Sequence, residues 1–217
     1  MRRSKARARE TRQQILLAAE RVFYEKGVAN ASMEEVARAA GVTRGAIYWH
    51  FANRTELFMA LCNSVPLPQE DLLARGLEAP ETDALALMER LVGEWIDLLS
   101  RDEQRQRILS ILLRCDYGGE FADVCTRQHD IDDRHMLALE TVFARALEQG
   151  RMNRIWTPQS AASTLRWMIK GLCAEWLLFG RRFDIVAEGR EGVSRLFRSF
   201  ALGQLLESDR DGCPGGR

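Results

Sequence analysis

Residues 32–58, SMEEVARAAGVTRGAIYWHFANRTELF, leave little freedom in how they fold. Gly41 separates two short stretches that each open on a hydroxyl residue suited to cap a helix, Ser32 and Thr43. Glu35 follows Ser32 at the reciprocal capping-box spacing, and Asn53 with Glu56 repeats that spacing for a third helix. Val36, Ala37 and Ala40 form the inner face of the first helix, and Gly41 can take the left-handed position that ends it. Val42 and Ile47 are placed as the hydrophobic staple of the second helix. That helix anchors on Ala46 and Ile47 and carries Arg44, Tyr48, Trp49 and His50 along its other side. A helix so short, with large polar-tipped side chains opposite a small anchor, is built to be presented. The spacing predicts a helix-turn-helix motif over about 33–52 that reads DNA.

The charge distribution points the same way. The chain is formally neutral, but residues 1–60 carry 11 Lys/Arg against 6 Asp/Glu, and residues 61–217 carry 20 against 25. A basic front end is the electrostatic footprint of phosphate binding, and an acidic remainder keeps the rest of the surface off DNA. The run RRSKARARETR at 2–12 is expected to touch phosphates or the minor groove. Alternatives of other classes lose ground. A phosphate-cradling glycine loop, an HExxH and a nucleophile elbow are all missing, so neither catalytic residues nor a cofactor are expected. Cysteines 62, 115, 125, 173 and 213 are odd in number and scattered, which suits free thiols in a reducing cytoplasm. The Arg-rich start has no apolar segment behind it, and Trp167–Phe179 is too short and too charged to span a bilayer. A soluble, cytoplasmic protein is expected.

Only five prolines, abundant Ala, Leu, Glu, Arg and Gln, and no alternating β-branched run make the chain all-α, with about nine helices. The expected organisation is a basic arm at 1–9 and a helix-turn-helix domain at 10–64. A connector follows at 65–82, then a ligand-binding and dimerisation domain at 83–207 and a disordered tail at 208–217. Helix 1 is expected from about Thr11 to Lys26, and helix 4 from Asn53. Pro66 and Pro68 should break helix 4 near Val65, with a short helix around Leu72–Leu77 beyond. Further helices are expected at about 83–100, 103–116, 121–149, 158–179 and 188–206, with a bend at Gly118–Gly119 and a Thr157 cap before Pro158. The last two are apolar enough for burial on both sides. They are expected to pair with a second copy in a four-helix bundle, giving a homodimer suited to a palindromic site.

The run GVTRGAIYWHFANRTELF resembles the signature of the TetR/AcrR family of transcriptional regulators, and AIYWHF is similar to the AcrR-type repressors of multidrug efflux genes. The similarity continues at LLRCDYGGEF (112–121) and KGLCAEWLLFGRRFD (170–184), and so covers nearly the whole chain. It implies a homodimeric repressor of an efflux operon that binds operator DNA and is released by a lipophilic small molecule held among the middle helices.

Candidate DNA contacts are Ser32, Thr43, Arg44, Gly45, Ala46, Tyr48, Trp49, His50 and Arg54. Arg44, at the start of the presented helix, is the candidate for bidentate contact with guanine. Gly45 and Ala46 leave room for close approach. Thr43, Trp49, His50 and Arg54 are expected on phosphates, helped by the helix N-termini near Ser32, Thr43 and Asn53. Candidate ligand contacts are Trp95, Leu112, Cys115, Phe121, Met136, Phe143, Trp167 and Met168, with His135, Glu140, Lys170 and Glu175 as orienting polar groups. Two rival readings keep the same fold: a metal or redox sensor built on Cys125, His129 or Cys115, and a DNA binder without a ligand. No metal is expected.

Overall fold

In the computed structural model, helix α1 (Arg2–Lys26) starts at the very front of the basic run rather than near Thr11. Arg, Lys and Ala are good helix formers, and nothing between Arg2 and Thr11 stops a helix. Thr11 itself does not cap; its hydroxyl donates back to the Arg7 carbonyl at 3.0 Å. The expected separate arm at 1–9 is therefore, from Arg2 onward, the first turns of α1. The structure describes residues 2–64, 83–116 and 118–202. The expected connector at 65–82, with its proline break, and the tail at 208–217 lie outside these residues.

After α1 come α2 (Met33–Ala39), α3 (Arg44–His50) and α4 (Arg54–Cys62). The capping box at α2 is complete, with Glu35 N–H on Ser32 Oγ at 3.2 Å and Ser32 N–H on Glu35 Oε2 at 2.9 Å. Gly41 ends the turn at φ 67°, the left-handed region that favours glycine. At α4 the box is shifted. Asn53 Oδ1 accepts from Glu56 N–H at 2.8 Å, but the Glu56 carboxylate reaches one residue further back, to Ala52 N–H at 2.7 Å.

Ile15, Ala19 and Phe23 of α1, Val36 of α2, Ile47 of α3 and Leu57, Phe58 and Leu61 of α4 close one apolar cluster. That cluster does not end with the helix-turn-helix unit. It continues into Ile108, Ile111, Leu112, Phe121 and Val124.

The larger half begins with α5 (Ala84–Arg101) and α6 (Glu103–Arg114). A 3-10 turn at Gly119–Phe121 provides the expected bend and leads into α7 (Ala122–Glu148). Then come α8 (Pro158–Leu178), with a complete Thr157–Ser160 capping box, and α9 (Ile185–Phe200). The described residues thus hold nine α-helices and no strand, only an isolated bridge between Met152 and Ala201. That bridge explains why α9 stops at Phe200 rather than near residue 206. Phe200 C=O accepts from Asn153 N–H at 2.7 Å, and Leu202 N–H donates to Arg151 C=O at 2.8 Å.

Glycines let α9 lie close on α8. A Cβ at Gly192 would stand 2.8 Å from Met168 Cε, and one at Gly189 would stand 3.0 Å from Leu172 Cδ2. The two helices differ in their outer faces. On α8 the outward residues include Trp167, 63% exposed, with Leu178 and Phe179 at its end, so this helix is apolar on both sides as expected. On α9 the apolar residues Val193, Phe197 and Phe200 all face inward, and Glu188, Glu191, Arg195 and Arg198 are exposed. The expectation of apolar faces on both sides fails for α9.

Phe143 of α7 sits fully buried where α7 meets α9, with its ring 5.1 Å from Phe200 and 6.5 Å from Phe197. Phe143→Ala is expected to cost about 3–5 kcal/mol in urea unfolding. A loss under about 1 kcal/mol would mean that this cluster does not hold the larger half together.

Candidate nucleic-acid interface

Helix α3 has seven residues, too few to be stable alone, and it is held from both ends. Thr43 Oγ1 accepts from Ala46 N–H at 3.2 Å. Ile47 is fully buried and Phe51, the C-cap, almost so. With those two inside and Ala46 half-buried, Thr43, Arg44, Gly45, Tyr48 and Trp49 are left on the open side.

Arg44 has 73% of its side chain exposed. Its Nε lies 3.1 Å from Glu34 Oε1 of α2, and its guanidinium lies 5.6 Å from the Tyr48 ring centre. An exposed pair of this kind is weak and holds a direction more than a bond. Gly45 carries no steric duty within the fold, because a Cβ there would meet nothing within 4 Å. Its bare backbone therefore leaves the start of α3 open to close approach from outside. Trp49 is 74% exposed and edge-on to His50, with ring centres 4.6 Å apart.

His50 is half-buried, and its pKa is lowered first by desolvation and then by the Arg12 charge. Arg12 reaches this end of the molecule from α1, with its guanidinium 5.0 Å from the Phe51 ring centre. In the sequence Arg12 is one member of a basic run, and only the docking of α1 on α3 singles it out. Glu34 is likewise invisible as a partner until Gly41 folds α2 against α3.

Two expected contacts are turned inward. The Ser32 hydroxyl and N–H are both engaged with Glu35. Lys26 bonds the same carboxylate; its hydrogen bond, followed by those of Ser32, holds Glu35 down at about 2. Arg54 donates to the carbonyls of Ala29 at 2.5 Å and Ala31 at 2.7 Å, and its guanidinium lies 5.4 Å from the Phe121 ring centre. Both side chains stitch the loop before α2 to its neighbours and stand behind the exposed group rather than in it.

The eight expected ligand contacts do not form one wall. Leu112, Cys115 and Phe121 pack with α1 and α4 in the first cluster, because the tip of α6 and the turn after it dock on the helix-turn-helix unit. Trp95, Phe143, Met136 and Met168 belong to the second cluster, and Trp167 is on the surface. Among the polar groups, His135 is buried, Lys170 is paired with Asp132, Glu140 is half-buried and Glu175 is exposed. The i, i+4 spacing does bring Cys125 Sγ within 3.8 Å of His129 Nε2. Among the described residues no group of three or more His, Cys, Asp and Glu is arranged to hold a metal ion. Burial pushes the thiols of Cys62 and Cys115 up to about 12 and about 11, so neither is a ready thiolate. No helix among these residues is long and apolar enough to cross a membrane.

Comparison with known proteins agrees with this geometry. Residues 15–61 match the family described as bacterial regulatory proteins, tetR family, and residues 83–202 match the C-terminal region of MAATS-type transcriptional repressors. The HTH-type transcriptional repressor BepR of Brucella suis is 34% identical over 200 residues, spanning 92% of this chain and 96% of BepR. The crystal structure of NalD, the secondary repressor of the MexAB-OprM multidrug efflux pump in Pseudomonas aeruginosa, superposes with a TM-score of 0.81 at 36% identity. That match covers 91% of this chain and 98% of NalD. The SmeT–triclosan complex has the same fold, with a TM-score of 0.76 at 24% identity over 96% of this chain and 100% of SmeT. A presented, capped recognition helix and two family matches that together span most of the chain lead to one conclusion: this protein belongs to the TetR family of transcriptional repressors and is not an enzyme.

Proposed function

We propose that this protein acts in the cytoplasm as a homodimer that holds a palindromic operator before a multidrug efflux operon and releases it when a lipophilic molecule enters the larger half. The observation that carries the reading is α3, where Arg44, Gly45, Tyr48 and Trp49 are the exposed residues of a helix anchored through Ile47. In this role Arg44 reads a guanine edge and Tyr48 meets a base or a phosphate. Thr43, Trp49 and His50 grip phosphates together with Arg12. Arg54 and Ser32 position the head. The outward apolar residues of α8, Trp167, Leu178 and Phe179, support pairing with a second copy, with the charged outer face of α9 alongside. The repressor role of NalD at an efflux pump supports the choice of target, and the triclosan bound by SmeT supports a lipophilic inducer. In thermodynamic terms the inducer acts only through its differential affinity for the operator-competent and released states.

Fluorescence anisotropy with an operator duplex, with and without triclosan, tests the scheme. The protein should bind the operator well above scrambled DNA and lose it as triclosan is added. Arg44→Ala should cost about 1–3 kcal/mol on the operator and relax one position. Equal losses on operator and scrambled DNA would remove base reading from Arg44.

His50 provides a pH signature. Its lowered pKa means the free fold favours the neutral ring, so the contribution of His50 to stability is present above its ordinary value of 6.5 and fades as pH falls through it. A phosphate beside the ring raises its pKa again. DNA binding then takes up a proton and tightens as pH falls from about 8 toward 6. His50→Gln should flatten that trend, and an unchanged slope in the variant would remove His50 from the phosphate contacts.

A further inference from the structure

Among the described residues, the most deeply buried charge lies outside the DNA-facing surface. Glu20 of α1 is 2% exposed, and it sits among Leu16, Ala19 and Phe23 of the apolar cluster. Both of its carboxylate oxygens are held by α6. Arg107 Nε donates to Oε1 at 2.5 Å, and Gln104 Nε2 donates to Oε2 at 2.9 Å. Arg107 Nη1 also donates to the exposed Glu103 Oε2 at 3.2 Å.

We infer that this clasp is the register pin between the DNA-reading head and the larger half, and that Glu20, Gln104 and Arg107 are positioning residues for operator binding. The inference deepens the two-headed reading above and rests on it.

The chemistry singles out this contact from the others across the same seam. Ile108, Ile111 and Leu112 pack on the head through apolar surface, which is non-directional and tolerates sliding. Arg114 lies over Tyr24, and Arg127 reaches Asn63 Oδ1 at 3.2 Å, but both arginines are exposed and weakly constraining. A buried carboxylate behaves differently. Leaving it unpaired is severely unfavourable, and two charge-assisted bonds at fixed angles allow neither sliding nor rotation of α1 on α6. The pin is linked to DNA by a rigid rod. Arg12, beside Phe51 and His50, lies eight residues before Glu20 on α1, about 12 Å along its axis at 1.5 Å per residue and about a quarter turn around it. A shift of α6 against its neighbours therefore moves the head as a body, and two heads displaced in this way no longer match a fixed half-site spacing.

Glu20→Gln keeps the shape and removes the charge, and it tests the pin with three duplexes: the palindrome, a single half-site, and the palindrome with two base pairs inserted at its centre. The variant should bind the palindrome at least ten-fold more weakly than wild type and the single half-site within two-fold. It should also lose less than wild type on the insertion, because its heads are no longer held at one spacing. Arg107→Gln, changed from the partly exposed side of the pair, should give the same pattern and decides the matter if Glu20→Gln melts early by circular dichroism. Equal weakening on palindrome and half-site, or a folded variant with unchanged affinity and unchanged sensitivity to the insertion, would overturn the pin. A wild-type protein that gains nothing from the second half-site would instead remove the two-headed reading, and the pin with it.

Discussion

The apolar cluster around α1 does not stop at the boundary of the helix-turn-helix unit. Ile15, Phe23, Phe58 and Leu61 on one side and Ile111, Leu112, Phe121 and Val124 on the other form one continuous interior. The edge-to-face chain from Phe23 to Phe58 to Phe121, with ring centres 6.1 and 5.8 Å apart, runs directly across the seam. A head that shares its core with the next domain cannot tumble freely on a linker. Close packing passes a displacement of α6 or of the turn after it to α1 and α4. The presentation of α3 therefore depends on packing well beyond its own seven residues.

Local chemistry explains what was legible in the sequence. Ser32 with Glu35, Gly41, Thr43, Thr157 and Pro158 act within a few residues of themselves, so the helices they bound stand where their spacing places them. The errors come where the deciding partner is distant or a stop signal is absent. Nothing in RRSKARARE halts a helix, so α1 runs through it. The early end of α9 is set by backbone pairing with residues 151–153, fifty residues away in sequence and beyond any local rule.

The same division runs through the candidate sites. Arg44, Tyr48 and Trp49 stand exposed because a short helix anchored on Ile47 has only one way to face. Arg54 belongs to the same motif, yet its geometry is fixed by the carbonyls of Ala29 and Ala31 and by Phe121, more than sixty residues downstream. Aromatic and sulfur residues in the larger half marked apolar interiors without telling one from the other. Leu112, Cys115 and Phe121 serve the seam with the head, while Trp95 and Phe143 serve the bundle, and composition carries no signal that separates them. The α9 face departs from the expected two-sided burial for a related reason: its apolar residues are numerous, but their period places them on one side.

The central claim is that two copies of this chain present two α3 helices to DNA at a spacing fixed by the rest of the fold. DNase footprinting of the full-length protein on the DNA upstream of its own gene measures that most directly. The account predicts two equally protected patches related by a dyad, with centres one helical turn or a whole number of turns apart, about 10–10.5 base pairs each, that appear together as protein is added. A single unpaired patch, or uniform protection without sequence preference, would contradict it.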